Sequence, residues 1–203
     1  MGYSGHGYVV TEAAMDAGMY VRYYCDRYVA LVNPFQLSFI GNEKEENFQG
    51  WGKDYHFILG IGDNAARQRI ASIIIQKGES LASVIHPSAG ISSTAKIGAG
   101  FFGSRNISVN ALSVIGNYAI LNTGCIVEHG CILGEAVHIA PGAVLAGDVR
   151  IGDRSFIGAN AVVKQGITIG KDVVIGAGTV VITDIPDDTR YVGNPARQIH
   201  GNK

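Results

Sequence analysis

From Ile85 to Val181 an aliphatic residue returns at every sixth position: Ile85, Ile91, Ile97, Val109, Ile115, Leu121, Val127, Leu133, Ile139, Leu145, Ile151, Ile157, Val163, Ile169, Ile175 and Val181. Only Gly103 interrupts the register. A helix repeats its side chains about every 3.6 residues and a half-buried strand every 2, so neither produces this spacing. Four residues after each aliphatic position stands a second small or β-branched residue: Ala119, Cys125, Cys131, Val137, Ala143, Val149, Ser155, Ala161, Ile167, Val173 and Thr179. Two inward positions per six residues describe a solenoid of short parallel strands, coil stacked on coil. Cys125 and Cys131 fall in the inward series and are core residues in this reading. Gly follows the aliphatic residue at Gly98, Gly116, Gly134, Gly152, Gly158, Gly170 and Gly176, where tight corners are expected.

The rest of the chain bounds what the solenoid can serve. Sixteen Lys and Arg against seventeen Asp and Glu leave a net charge of −1. No basic run interleaved with aromatics appears, so nucleic acid is not an expected partner. The first twenty residues lack a basic leader and a continuous apolar run, and no stretch is apolar enough to span a bilayer. A soluble, cytoplasmic protein with no membrane partner is expected. Met1-Gly2 is not a myristoylation signal, because His6 stands where Ser or Thr is needed. Cys25, Cys125 and Cys131 form no paired framework, in keeping with a reducing compartment.

Residues 1–80 carry a different pattern. The turn Gly2-Tyr3-Ser4-Gly5-His6-Gly7 precedes an expected helix over Tyr8–Ala17 and an apolar strand over Met19–Cys25 that ends in Asp26. Tyr55–Leu59 reads as a further strand, Gly60–Asn64 as a turn, and Ala65–Lys77 as a helix with Arg67 in its first turn. Glycines between a strand and a helix let main-chain N–H groups and the positive helix end meet an anion, usually phosphate. The unit is too short for the two halves of a dinucleotide site, and a mononucleotide-sized ligand fits it better. The segment between Asp26 and Trp51, with Glu43-Lys44-Glu45-Glu46, reads as a solvated excursion without a function. The resulting plan is a small α/β nucleotide-binding unit over 1–80, the solenoid over 81–184 and a tail over 185–203.

On these residues the segment Ile85–Val181 resembles the hexapeptide-repeat acyltransferases, whose left-handed parallel β-helix has three sides and three hexads per coil. Sixteen hexads then give roughly five coils. With the Ser-Gly-His-Gly turn and Gly62-Asp63-Asn64-Ala65-Ala66-Arg67 included, nearly the whole chain is similar to the NeuD/PglD family of sugar O- and N-acetyltransferases. The resemblance implies a Rossmann-like N-terminal unit, a homotrimer, acetyl-CoA as cosubstrate, a nucleotide-sugar acceptor and no metal. It places Ser4, Gly5, His6, Gly7 and Asp26 at the nucleotide, with Gly62, Asn64 and Arg67 closing the site. Relatives carry a hydrophobic strand ahead of the first Gly turn, whereas this chain opens at the turn, so the unit's first strand is expected to be missing.

Acetyl transfer from a thioester needs a base near neutral pH and a donor for the growing oxyanion. His129 and His138 both fall on outward positions of the solenoid. The family's Asn-Thr-x-x-x-x-Glu-His pattern is present as Asn122 to His129 and implies His129 as general base, supported by Asn122 and Glu128. By the same resemblance His138, Gly147, Ala159 and Arg197 would meet acetyl-CoA. Many relatives follow the base with an acidic residue; here that place is Gly130. Other readings of the solenoid are a zinc carbonic anhydrase, whose His-x-x-x-x-His pair is absent, and a non-enzymatic scaffold. Within the acetyltransferase reading, an amino sugar on a nucleotide is preferred to O-acetylation of a sugar such as sialic acid.

Overall fold

The computed structural model describes residues 1–199. The hexads wind into a three-sided parallel β-helix of two-residue strands. Each strand pairs in register with the strand eighteen positions on, as Ile115 does with Leu133, Leu121 with Ile139 and Val127 with Leu145. The first face runs from Val84–Ile85 to Val174–Ile175, the second from Gly90–Ile91 to Val180–Val181, the third from Lys96–Ile97 to Thr168–Ile169. The second face holds six strands, so the sequence estimate of roughly five coils falls one short there. From Val109 onward both inward series are buried along the axis, Cys125 and Cys131 among them, whereas Ile91 and Ile97 of the first coil are half-buried and Ile85 is exposed. Burial pushes the Cys125 thiol up to about 12, consistent with a packing role. At Gly103 the core does not break. A side chain there would run into the Phe101 ring at 2.8 Å and Ile107 at 2.9 Å, which fill the space instead.

The glycine reading needs a correction. The left-handed corner residue lies three positions after the aliphatic one, at Asn106, Leu112, Tyr118, Gly124, Gly130, Ala136 and onward. Gly98, Gly116, Gly134, Gly152, Gly158, Gly170 and Gly176 are absent from the positive-φ positions. They are glycine because neighbouring coils touch there: a Cβ on Gly116 would lie 2.5 Å from the Gly134 carbonyl carbon, and one on Gly158 2.5 Å from that of Gly176.

The N-terminal unit is built on α1 (Gly5–Asp16), β1 (Tyr23–Tyr24), β2 (Ser38–Phe39), β3 (His56–Phe57), α2 (Asn64–Gln76) and β4 (Ser80–Leu81). Helix α1 starts three residues before the expected Tyr8, because Ser4 in extended conformation serves as its N-cap. Only two residues of Met19–Cys25 are strand, the length that β2 offers for pairing. Met1 and Gly2 take the central place of the sheet. The Met1 amine donates to the Ile58 carbonyl, Gly60 N–H to the Met1 carbonyl and Gly2 N–H to the Cys25 carbonyl. The order is therefore β2, β1, Met1-Gly2, β3, β4, a doubly wound sheet whose order reverses beside Gly2 and Gly60.

This unit lies on the first face of the solenoid. Val10, Ala13 and Ala14 of α1 pack with the outward side chains Val84, Phe102 and Ile120, and Ile70, Ala71 and Ile74 of α2 join a cluster with Tyr118 and Ala136. At the rim Arg105 donates to Glu12 and Asp16, each at 2.7 Å. The segment 185–199 continues the first face, with Arg190–Val192 beside Val174–Ile175 and Arg197–Gln198 returning antiparallel. Residues 200–203 of the expected tail lie outside the described residues.

Candidate active site

In an open α/β sheet, ligands bind beyond the carboxyl ends of the strands where the order reverses. Here that crevice is bounded by Gly2–Gly7 and Gly60–Gly62. Its close packing requires glycine: a side chain on Gly7 or on Gly60 would collide with the Gly2 carbonyl. Gly5 faces open space, and the Ser4 hydroxyl does not cap its own helix. The first-turn N–H groups of α1 and the Ser4 hydroxyl thus remain for an anion. Asp26, at the end of β1, accepts from Tyr3 N–H at 2.8 Å and holds the turn. Ser4, Gly5 and Gly7 lie at the start of α1, Gly62 packs beside His6, and Asp26 is tied to this turn through Tyr3.

Asn64 and Arg67 were expected there too, and the structure uses them otherwise. Arg67 is 1% exposed and all five of its N–H donors are taken. Nε donates to the Tyr118 carbonyl, Nη1 to those of Ile61 and Gly62, and Nη2 to Asn64 Oδ1 and the Ala136 carbonyl. Asn64 Nδ2 donates to the carbonyls of Arg154 and Ser155. Both side chains join the N-terminal unit to the solenoid and have no donor left for a ligand.

His6 points from α1 towards the solenoid, its ring 5.4 Å from Phe102 and 6.0 Å from His138. His138 is 8% exposed and also packs edge-on against Phe156 at 5.1 Å. Burial, followed by the nearby Arg67 charge, holds His138 down at about 3 and His6 at about 4, so both are neutral at physiological pH. Asn122 Oδ1 accepts from Thr123 N–H, which turns Nδ2 towards His138 Nε2 at 3.3 Å. Asn122 therefore supports His138 rather than His129 of its own chain.

His129 stands on the corner between the second and third faces and its side chain is 58% exposed. Glu128 Oε2 lies 3.8 Å from Nδ1. The imidazole rests on Gly147 of the next coil, where a Cβ would come within 2.6 Å of Cε1 and Nε2. Gly147 is thus a seat for the ring, which the sequence reading did not foresee. Asp148, also unforeseen, donates its N–H to the His129 carbonyl, and its carboxylate fills the space a side chain on Gly130 would take. Ala159 lies on the corner between the first and second faces with its carbonyl bonded to Gly178 N–H, and Arg197 is exposed.

A hexapeptide solenoid with a doubly wound α/β unit on one face defines a class of acyltransferase, and comparison with known proteins narrows it. Residues 1–74 match the PglD N-terminal domain, 113–147 the bacterial transferase hexapeptide and 148–183 the hexapeptide repeat of succinyl-transferase. The crystal structure of PerB from Caulobacter crescentus, in complex with CoA and GDP-perosamine, is 36% identical. That match covers 98% of this chain and 95% of PerB, with a TM-score of 0.89. The acetyltransferase domain of PglB from Neisseria gonorrhoeae, in complex with acetyl coenzyme A, is 36% identical over 98% of this chain and 96% of that one, with a TM-score of 0.91. GDP-perosamine N-acetyltransferase of Escherichia coli O157:H7 is 33% identical over 98 residues, 48% of this chain and 44% of that protein's length. The chain belongs to the PglD/NeuD-like family of sugar acetyltransferases, built on a left-handed hexapeptide-repeat β-helix.

Proposed function

We propose that the protein transfers the acetyl group of acetyl-CoA to the amine of an amino sugar carried on a nucleoside diphosphate, with His129 as general base. The observation that carries this reading is the crevice between Gly2–Gly7 and Gly60–Gly62. It presents a free helix N-terminus to a diphosphate and opens towards His138 and Asn122 of the solenoid. PerB and PglB, with CoA, GDP-perosamine and acetyl-CoA bound, support the same pair of substrates. In the reaction the neutral sugar nitrogen attacks the thioester carbonyl, and the C–N bond forms as the carbonyl electrons move to oxygen. His129 takes the surplus proton from nitrogen. The C–S bond then breaks, and the departing sulfur receives the proton from His129.

The work is shared between copies of the chain in this proposal. His129 lies on the corner opposite the first face, and the nucleotide unit covers that first face. One chain's base does not meet its own acceptor, so a neighbour must supply it. The outward column of the second face, Ile126, Val144, Val162 and Val180, is apolar and half-buried to exposed, which suits packing against a second copy. A closed homotrimer satisfies every site by the same contact.

Free-thiol release from acetyl-CoA, measured against GDP-, UDP- and TDP-linked 4-amino sugars and sialic acid, tests the reading. Turnover is expected with an amino-sugar nucleotide, and His129→Ala should lower it by about 10²–10⁴-fold. Turnover confined to sialic acid would replace it with O-acetylation.

A further inference from the structure

Arg67 is a buried guanidinium with no carboxylate among its hydrogen-bond partners, and it sits where the two halves of the protein meet. Its acceptors have a pattern. Tyr118, Ala136 and Arg154 occupy equivalent corners of three successive coils, all with left-handed φ of 52° to 58°. Arg67 donates to the carbonyls of the first two and Asn64 to that of the third. On its other side the guanidinium donates to the carbonyls of Ile61 and Gly62, the turn that walls the crevice. One planar fork thus ties the turn to the solenoid edge, a geometry that a point charge such as an ammonium does not reproduce.

The tautomer of His138 follows from its neighbours. Asn122 Nδ2 is a donor, so Nε2 of the neutral ring is the acceptor and the proton resides on Nδ1. The Gly62 carbonyl, held by Arg67, is close enough to the ring to favour its proton, and Nδ1 is buried with no other partner. His6 Nε2, from α1, is likewise buried without a partner.

We propose that Arg67 is a positioning residue: it fixes the Ile61–Gly62 turn against the solenoid and so holds His138 in the Nδ1–H tautomer, with Nε2 an acceptor at the active site. The part of this proposal that concerns the acceptor substrate rests on the function proposed above. Among the described residues, the guanidinium is the cation that bears on both histidines. His6 from α1, the Gly62 carbonyl from the turn, Asn122 from the solenoid and the Phe102 and Phe156 rings complete the surroundings of His138, and Asp63 is the carboxylate nearest Arg67. Burial lowers Arg67 only to about 10, so its charge persists at neutral pH and disfavours a second charge on either histidine.

Two full-length variants separate the fork from the charge. Arg67→Lys keeps the charge and loses the planar fork. KM for the nucleotide sugar is expected to rise about tenfold, with KM for acetyl-CoA within about twofold of wild type. Arg67→Met loses both, and in it the ring-nitrogen NMR signals of His138 and His6 should begin to titrate about one unit higher than in wild type, while in Arg67→Lys they should not move. Unchanged KM for the nucleotide sugar in Arg67→Lys, or an unchanged histidine titration in folded Arg67→Met, overturns the proposal. If Arg67→Met does not fold, the Arg67→Lys kinetics decide. The NMR titration needs no turnover, so a shifted titration in a protein that acetylates no sugar upholds the Arg67 assignment and rejects only the acceptor.

Discussion

His129 owes its place to a missing side chain on the coil above. The imidazole lies on the main chain of Gly147, and any Cβ there would stand 2.6 Å from two ring atoms. Gly147 is not in the left-handed region, so alanine is compatible with its backbone and the collision falls on the ring alone. Gly147→Ala should therefore fold normally yet lose about tenfold or more in kcat, because the base is turned from its line of attack. Circular dichroism and steady-state kinetics on the same preparation check this, and wild-type kcat in the variant would show that the ring is not seated there during turnover. The pattern Asn122 to His129 was legible in the sequence, but its partners were not. Asn122 bonds a histidine sixteen residues away through the stacking of coils, and Asp148 stands beside Gly130 by the same stacking. Arg67 was misread for a related reason: its acceptors are main-chain carbonyls, which leave no mark in a sequence.

The docking of α1 and α2 on the first face makes that junction sensitive to acid. His138 titrates at about 3 and His6 at about 4, both below the ordinary value of about 6.5. Between those values the unfolded chain binds protons that the folded chain refuses. Stability is therefore full above about pH 6.5 and falls as pH drops towards the folded values. At pH 5 the loss should be about 1–2 kcal/mol for His138. Urea unfolding of wild type and His138→Gln at pH 7.5 and 5.0 reads this directly. The variant should lose less stability on acidification than wild type, and equal losses would place the acid sensitivity elsewhere. The elements that meet at this junction differ in how far the sequence revealed them. Helix α2 was legible to within one residue at each end, whereas β1 shrank from seven expected residues to two, because strand length is set by the partner strand. Solenoid strands were legible because every coil repeats the same local choice of two inward residues.

At the scale of the whole molecule, His129 and the crevice beside Gly2 and Gly60 lie on opposite sides of one three-sided rod. On the function proposed, a single chain would hold its acceptor in that crevice away from its own His129. The second face offers the seam at which copies could meet. Val162 is 41% exposed in the middle of its apolar column and touches no part of the nucleotide unit's core clusters. Placing a charge there should cost the isolated chain little, since an exposed site leaves Glu in water, but would bury that charge in an association through this face. If the proposed homotrimer forms through this face, Val162→Glu is expected to be a monomer by light scattering and to abolish turnover, with the thermal unfolding of its helical and strand signals kept. Mixing it with the His129→Ala chain should restore no turnover, because the intact base of the Val162→Glu chain cannot reach a neighbour's crevice, and restored turnover would place the contact on another face. A wild-type chain that is active as a monomer would mean that His129 serves its own crevice, and would overturn the shared site.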